Sequence, residues 1–222
     1  MIINYKAILF GSIGTLVETS ELQRRAFNKA FSDAGLDWNW NPEEYQHLLA
    51  KSGGCARIQD FATRRGINVE AEQLHKQKTK IFDSLMTKET ISLRPGVSSL
   101  IGYALDNSLP LAFVTSTSEA NIDAIFFALK GQVKRSDFSF IGNDMMVSNP
   151  KPNPEIYLKA LSYLHLEAKD CIAIEDTEIS MQAALEAKIR CIGFPGVFSK
   201  VNDFIGAALI TDNISTNDLV NF

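Results

Sequence analysis

Two kinds of hydrophobic pattern alternate along the chain. Short apolar runs, typical of strands buried on both faces of a parallel sheet, are separated by stretches in which apolar residues recur every three or four positions, as in amphipathic helices. The first run, Ala7 to Phe10, ends in the small-residue loop Gly11-Ser12-Ile13-Gly14-Thr15. Since α/β proteins place their active sites in loops at the carboxyl edge of the sheet, this loop is a candidate site.

The stretch over residues 17–90 is helical in pattern and contains no strand-like run. Ser20 is predicted to cap its first helix, with Gln23 completing a capping box, and Pro42 begins a short second helix. Two further helices follow, the last over about 70–87. Four helices are more than a crossover between neighbouring strands needs, so we predict an inserted helical cap domain over 17–90.

From residue 91 onward, helical and strand patterns alternate. The strand-like runs lie at 109–114, 138–141, 171–174, 190–193 and 208–210. Repeated β-α-β units predict an α/β fold in which a parallel sheet carries helices on both faces. We therefore predict a core domain made of residues 1–16 and 91–222.

The composition is that of an ordinary soluble globular protein. The net charge is −4 and no basic run occurs, so we expect neither nucleic-acid nor membrane binding. Cys55, Cys171 and Cys191 lack disulfide or zinc spacing, which favours reduced thiols in a cytosol-like compartment. No targeting segment or membrane-spanning run is visible, and we expect the protein in the cytoplasm or an organellar stroma.

Polar residues with chemical potential follow the later strands. They are Thr115 and Ser116, Lys151, and the pair Glu175 and Asp176. Taken singly, each has an ordinary explanation: helix capping for the hydroxyls, a solvated surface lysine, and acids favoured by a helix dipole. The first loop, by contrast, contains no carboxylate, histidine, lysine or cysteine.

Taken together, these segments resemble the haloacid dehalogenase-like (HAD) phosphohydrolases that carry a helical cap after the first strand. Within that group the chain is most similar to the CbbY-type and β-phosphoglucomutase-like sugar-phosphate phosphatases. The matching segments cover nearly the whole chain and include LRPGV, VTSTSEANIDA, KPNPEIYLKAL and IEDTEISMQAALEAKI. The resemblance implies a Rossmann-like HAD core with a helical cap.

The resemblance also shows what the first loop has lost. In the family this loop reads Asp-x-Asp-Gly-Thr, in which the first Asp attacks phosphorus and the second is the general acid and base. Here those positions hold Gly11 and Ile13. The remaining motifs imply that Thr115, Ser116 and Lys151 bind a phosphoryl group.

A metal site follows from the same resemblance. It implies that Glu175 and Asp176 hold Mg²⁺, a hard cation that prefers oxygen ligands, with the Ile13 carbonyl as a further ligand. Because Gly11 supplies no carboxylate, we expect a reduced affinity for the metal.

The cap matches the family in part. Glu18, Gly53, Gly54 and Arg57 correspond to positions that select the substrate. From the residues alone, Glu18 and Arg57 can equally form an exposed ion pair of little energetic weight.

Ser12 is the nucleophilic side chain between the two lost carboxylates. On an extended strand end, alternate side chains point in opposite directions, so we expect Ser12 to face away from the phosphate. We also expect it to have no adjacent base.

Three functions remain open. The first is a pseudoenzyme that lacks the nucleophile and the acid/base and keeps a phosphate-binding pocket for a phosphorylated sugar, or serves a protein partner that the sequence does not identify. The second is an active Mg²⁺-dependent sugar-phosphate phosphatase, for which the resemblance implies substrates like xylulose 1,5-bisphosphate. The third is a structural or interaction protein in which the pocket is vestigial.

Overall fold

The computed structural model describes residues 5–49, 53–199 and 204–220. The chain forms two units. Met1–Glu18 and Ile91–Phe222 make up the first, called here the core unit, and Thr19–Thr90 makes up the second, the helical unit. The cap predicted over 17–90 differs from the helical unit only in its first two residues.

The core unit is built on a parallel sheet. Its described strands are β1 (Ala7–Phe10), β2 (Leu111–Phe113), β3 (Phe140–Ile141), β4 (Cys171–Glu175), β5 (Arg190–Gly193) and β6 (Leu209–Ile210). The order across the sheet is β3-β2-β1-β4-β5-β6, and every described pair is parallel. This sheet confirms the predicted fold class.

Helices surround the sheet or form the helical unit. In chain order they are α1 (Ile13–Leu16), α2 (Ser20–Asp33), α3 (Pro42–Leu48), α4 (Gly54–Arg65), α5 (Ala71–Lys88), α6 (Val97–Asp106), α7 (Glu119–Ala128), α8 (Glu155–Leu164) and α9 (Glu178–Glu186). Helices α2 to α5 belong to the helical unit and the others to the core unit. Short 3₁₀ turns lie at Arg135–Asp137, Asp144–Met146, Ala168–Asp170 and Thr216–Leu219.

Strand β1 has β2 on one side and β4 on the other. Strands β2 and β3 extend the sheet to one side of β1, and β4 to β6 extend it to the other side. All residues of these three strands are buried, as their continuous apolar runs predict. Cys171 and Cys191 are buried free thiols in β4 and β5. The carboxyl ends of β1, β2 and β4 therefore lie side by side, at the switch point where α/β proteins bind ligands.

The helical unit has its own aromatic core around Trp40, which is fully buried. The ring centroids of Phe27, Phe31 and Phe61 lie 4.8, 4.7 and 5.4 Å from that of Trp40. Aromatic pairs at these separations stabilise a core beyond their buried area. The described helices include none long and apolar enough to cross a membrane.

The predicted capping box at the start of α2 is wrong. Ser20 is already helical, and the capping residue is Thr19, whose side chain makes no capping hydrogen bond. The Gln23 side chain instead accepts a hydrogen bond from Lys78 Nζ. A buried ammonium needs an acceptor, and this need decides the direction of the Gln23 side chain.

Candidate active site

The loop after β1 is held by backbone contacts. Gly11 N donates to Ile174 O at 3.0 Å, which continues the pairing of β1 with β4 for one residue. The chain then turns into the short helix α1. Gly14 leaves room for the Asp176 carboxylate, because a Cβ at that position would lie 1.8 Å from Asp176 Oδ2 and would force that side chain to move.

Arg94 binds the same loop through a backbone carbonyl. Its guanidinium donates to Gly14 O at 2.7 Å, Phe194 O at 2.8 Å and Pro195 O at 2.7 Å. It also lies 3.5 Å from the centroid of the Phe194 ring. One buried side chain thus joins the candidate loop to the segment that follows β5.

A buried ion pair lies at the carboxyl ends of β1 and β4. Lys151 Nζ donates to Glu175 Oε1 at 2.6 Å and to Gly11 O at 2.5 Å. Glu175 is fully buried and the Lys151 side chain is 6% exposed. Tyr157 donates a third hydrogen bond, from its hydroxyl to Glu175 Oε1 at 2.6 Å. Glu175 Oε2 is buried and accepts no hydrogen bond from the described residues.

The carboxylate of Glu175 fills the space above Gly11. A Cβ on Gly11 would lie 2.0 Å from Glu175 Oε1 and 2.4 Å from the Tyr157 hydroxyl. No real Cβ approaches other atoms so closely. The position that the family resemblance assigns to the nucleophile therefore has no side chain, and its side-chain space is occupied.

Burial dominates the electrostatics of this cluster. Desolvation raises the pKa of Glu175 to about 7, although the Lys151 ammonium opposes the shift. Desolvation and the neighbouring Glu175 raise the pKa of Tyr157 well above its ordinary value, so its hydroxyl remains a hydrogen-bond donor. Burial likewise raises the pKa of Asp176, while a hydrogen bond from Ser12 opposes that shift.

Two expectations apply to Ser12: that its side chain faces away from the phosphate site, and that it has no adjacent base. Ser12 Oγ donates to Asp176 Oδ1 at 2.5 Å, so the prediction that it has no adjacent base is wrong. The alternation argument fails because β1 ends at Phe10 and Ser12 is the N-cap residue of α1. Its side chain therefore points to the acidic pair.

The predicted phosphate-binding hydroxyls lie at the end of β2, next to β1. Thr115 is 4% exposed, and its Oγ1 accepts from Thr117 N at 3.2 Å. Neither Thr115 nor Ser116 caps α7, because Ser118 does so by accepting from Asn121 N. Capping is therefore the wrong explanation for this pair.

The other ordinary explanations also fail. Lys151 is buried rather than a solvated surface lysine, and Glu175 is the last residue of β4 rather than an acid in a helix turn. The structure therefore joins three of the predicted site residues by direct hydrogen bonds, Lys151 to Gly11 and Glu175, and it joins a fourth, Asp176, to Ser12.

The residues predicted to select the substrate are divided between the two units. Glu18, predicted as a cap residue, lies in the core unit, where its Oε2 accepts from Val197 N at 2.8 Å. Gly53 is the N-cap residue of α4, Gly54 is the first residue of that helix, and Arg57 is buried in the helical unit. Since Arg57 Nε donates to Leu48 O at 2.9 Å from a buried position, Arg57 is not the exposed residue that the ion-pair explanation assumes. Substrate selection by these residues stays a prediction.

Two buried side chains, Tyr157 and Lys78, are not among the predicted site residues. Tyr157 lies inside the KPNPEIYLKAL motif, where an aromatic residue of an amphipathic helix is usually only part of the core. Lys78 lies between Leu74 and Phe82 on the buried face of α5. A lysine that interrupts an apolar helical stripe was the available signal. Desolvation lowers the pKa of Lys78 to about 7.

The predicted donor set is incomplete for Mg²⁺, and magnesium binding stays a prediction. Glu175 Oε1 already accepts from an ammonium and a phenol, Asp176 Oδ1 accepts from Ser12, and the Ile13 carbonyl accepts from Val17 N. Within the described part of the chain, no group of three His, Cys, Asp or Glu side chains could hold a metal ion. Mg²⁺ prefers near-octahedral oxygen ligands, and here the neighbouring cation is Lys151.

Known proteins match this chain over almost its whole length. The family model for haloacid dehalogenase-like hydrolases matches residues 8–194. The protein CbbY of Cereibacter sphaeroides is 38% identical over 213 residues, which are 95% of this chain and 93% of that protein. A crystal structure of CbbY from Rhodobacter sphaeroides in complex with phosphate has a TM-score of 0.87 at 37% identity, covering 97% of this chain and 99% of that one. A mutant of that protein in complex with xylulose-(1,5)bisphosphate has the same identity, coverage and TM-score.

Proposed function

This chain belongs to the haloacid dehalogenase-like hydrolase family, and we propose that it is a CbbY-like member that binds a phosphorylated sugar without forming an aspartyl-phosphate. The observation that carries the proposal is the occupied space above Gly11. A covalent route needs a carboxylate there, and the chain has none, while Glu175 and Tyr157 leave no room for a side chain.

The remaining groups support binding. Lys151 uses two of its three N–H donors, on Glu175 and Gly11, which leaves one for an anionic oxygen. The Thr115 hydroxyl accepts one hydrogen bond and still has its own proton to donate. Both groups can thus stabilise a phosphate ester. The ligands named for CbbY, phosphate and xylulose-(1,5)bisphosphate, indicate the class of compound.

Mg²⁺ has no assigned part in this proposal. Phosphatases of the family generally use the metal, which neutralises phosphoryl charge when bound. In this chain Lys151 supplies the positive charge next to Glu175. We therefore expect phosphate binding to be the same in excess EDTA and in millimolar Mg²⁺.

Binding and turnover should be measured together. Isothermal titration with inorganic phosphate and with xylulose 1,5-bisphosphate should show binding, and phosphate release should not exceed the background rate. Thr115→Val should weaken binding, because it keeps the shape of the side chain and removes the hydroxyl. Phosphate release above background, lost in Asp176→Asn, would overturn the non-catalytic part. Absence of binding by either ligand would overturn the binding part.

One contact favours a second candidate, a phosphatase that uses Ser12. Ser12 Oγ donates to a carboxylate whose pKa is raised by burial, so Asp176 could take the hydroxyl proton as Oγ attacks phosphorus. The P–O bond to the sugar would break, and the sugar oxygen would leave with the proton that Asp176 took from Ser12. Water would then hydrolyse the phosphoserine, which releases phosphate and restores the Ser12 hydroxyl. Turnover that is abolished in Ser12→Ala and retained in Thr177→Ser would support this route. Activity that survives Ser12→Ala would exclude it.

A further inference from the structure

A groove between α2 and α5 of the helical unit has a strongly cationic lining. Its volume is about 860 Å³. The charged side chains that line it are all basic: Arg24, Arg25, Lys29, Lys80 and Lys88. Basic side chains that no neighbouring carboxylate neutralises raise the local concentration of anions.

The surrounding charge makes this groove unusual in the chain. Thr19–Thr90 contains eleven Lys and Arg and ten Asp and Glu, whereas the remainder contains eleven and sixteen. The helical unit is therefore slightly positive, although the net charge of the whole chain is −4. Five of its eleven basic residues line this one groove.

Three of the five basic side chains form ion pairs with carboxylates, and two do not. Arg24 pairs with Glu21, Arg25 with Glu89, and Lys29 with Asp33. Lys80 and Lys88 are both exposed and have no carboxylate within ion-pair distance in the described chain. They are the side chains from which an incoming anion has least to displace.

The spacing of these lysines indicates the shape of the anion. They are eight positions apart on helix α5, which places their Cα atoms about 12 Å apart along the axis. Ile81 and Leu85 lie between them on the same groove face, and both are half-buried. The groove thus presents two positive ends separated by an aliphatic surface.

We propose that this groove binds a small organic molecule that carries a phosphate group at each end. Lys80 and Lys88 would each contact one phosphate, and Ile81 and Leu85 would contact the carbon skeleton between them. The amide side chain of Gln77 and the hydroxyl of Ser84 line the same face and add hydrogen-bond donors. The site lies wholly within the helical unit and does not depend on the function proposed for the core unit.

Isothermal titration of the full chain with fructose 1,6-bisphosphate, at low ionic strength, tests the proposal. Lys80→Gln/Lys88→Gln should weaken binding about tenfold, the combined effect of two exposed ion pairs. Lys76→Gln is the matched control, because Lys76 is an exposed lysine on α5 outside the groove, and its affinity should equal that of the parent. Added salt should weaken binding, and glucose 6-phosphate should bind less tightly.

Three results would overturn the proposal. One is the absence of binding at about 10 mM bisphosphate, which is weaker than any specific site of this kind. Another is binding that is lost in Lys151→Gln but retained in Lys80→Gln/Lys88→Gln, which assigns the ligand to the core unit. The third is a groove that binds an acidic peptide and not the bisphosphate. Circular dichroism spectra should establish that each variant is folded.

Discussion

Lys151 Nζ lies 2.6 Å from Glu175 Oε1, and both side chains are buried. This ion pair occupies the place where the family resemblance locates the chemistry of phosphoryl transfer. With Gly11 in the loop, Glu175 extends over the glycine, and its described partners are Lys151 and Tyr157.

The occupied space above Gly11 predicts that even a methyl group is costly there. We expect Gly11→Ala to lower the free energy of unfolding by about 1–3 kcal/mol, as overpacking of a core does. Glu175 would have to turn away from Lys151 and Tyr157. Urea unfolding measures the change. Gly102→Ala is the control, because a Cβ on Gly102 meets nothing within 4 Å in helix α6; equal losses in both variants would contradict the steric explanation.

Removal of one partner of the buried ion pair should be more costly than removal of both. We expect Lys151→Met to lower the free energy of unfolding by about 3–5 kcal/mol at neutral pH, because Glu175 is left buried and unpaired. Lys151→Met/Glu175→Gln should recover part of that loss. Additive effects in this double-mutant cycle would show that the pair is not coupled. Lys169→Met, which breaks the exposed pair with Glu167, should have no measurable effect.

Glu175 should make stability fall as the pH rises from about 4.5 to about 7. Its ordinary pKa is 4.5, and burial raises it to about 7 in the folded protein. Within this window the folded protein retains a proton that the unfolded chain has lost, so its stability is fully present below the window and declines through it. Free energies of unfolding measured from pH 4.5 to 7 should lose this slope in Glu175→Gln. An unchanged slope in that variant would contradict the assignment.

Lys78 should act in the opposite direction at higher pH. Its pKa is about 7 in the folded protein and 10.5 when exposed, because burial disfavours the ammonium. Between these values the unfolded chain binds the proton and the folded protein does not, so stability should rise with pH from about 7 to 10.5. Lys78→Met should flatten this rise. Lys76→Met, on the exposed face of the same helix, should keep it.

Arg94 should be irreplaceable by lysine. Its planar fork donates to three carbonyl oxygens, and an ammonium cannot reproduce that geometry or the contact with the Phe194 ring. We expect Arg94→Lys to lower the free energy of unfolding by about 2–4 kcal/mol, since buried carbonyls lose their donors. The control is Arg65→Lys, at an exposed position in α4. A loss below about 1 kcal/mol in Arg94→Lys would contradict the structural role.

Much of the fold could be predicted from local patterns. The apolar runs predicted the buried strands β1, β2 and β4, and the start signal Pro42 predicted α3. The motifs also predicted the family. At Ser20 the local pattern gives a wrong prediction, because the capping box that the sequence suggests is not formed. Gln23 instead binds a lysine fifty-five positions away.

The sequence by itself determined that Gly11 and Ile13 stand where the family has two carboxylates, because residue identity and motif order need no coordinates. Only the tertiary structure decided which groups fill the space over Gly11 and which way the side chain of Ser12 points. Lys151 and Tyr157 come from one segment and Glu175 from another, and they meet over Gly11 through the strand order of the sheet. The direction of Ser12 depends on where β1 stops and α1 begins. Long-range packing and burial set these contacts and pKa values, and a one-dimensional pattern does not contain them.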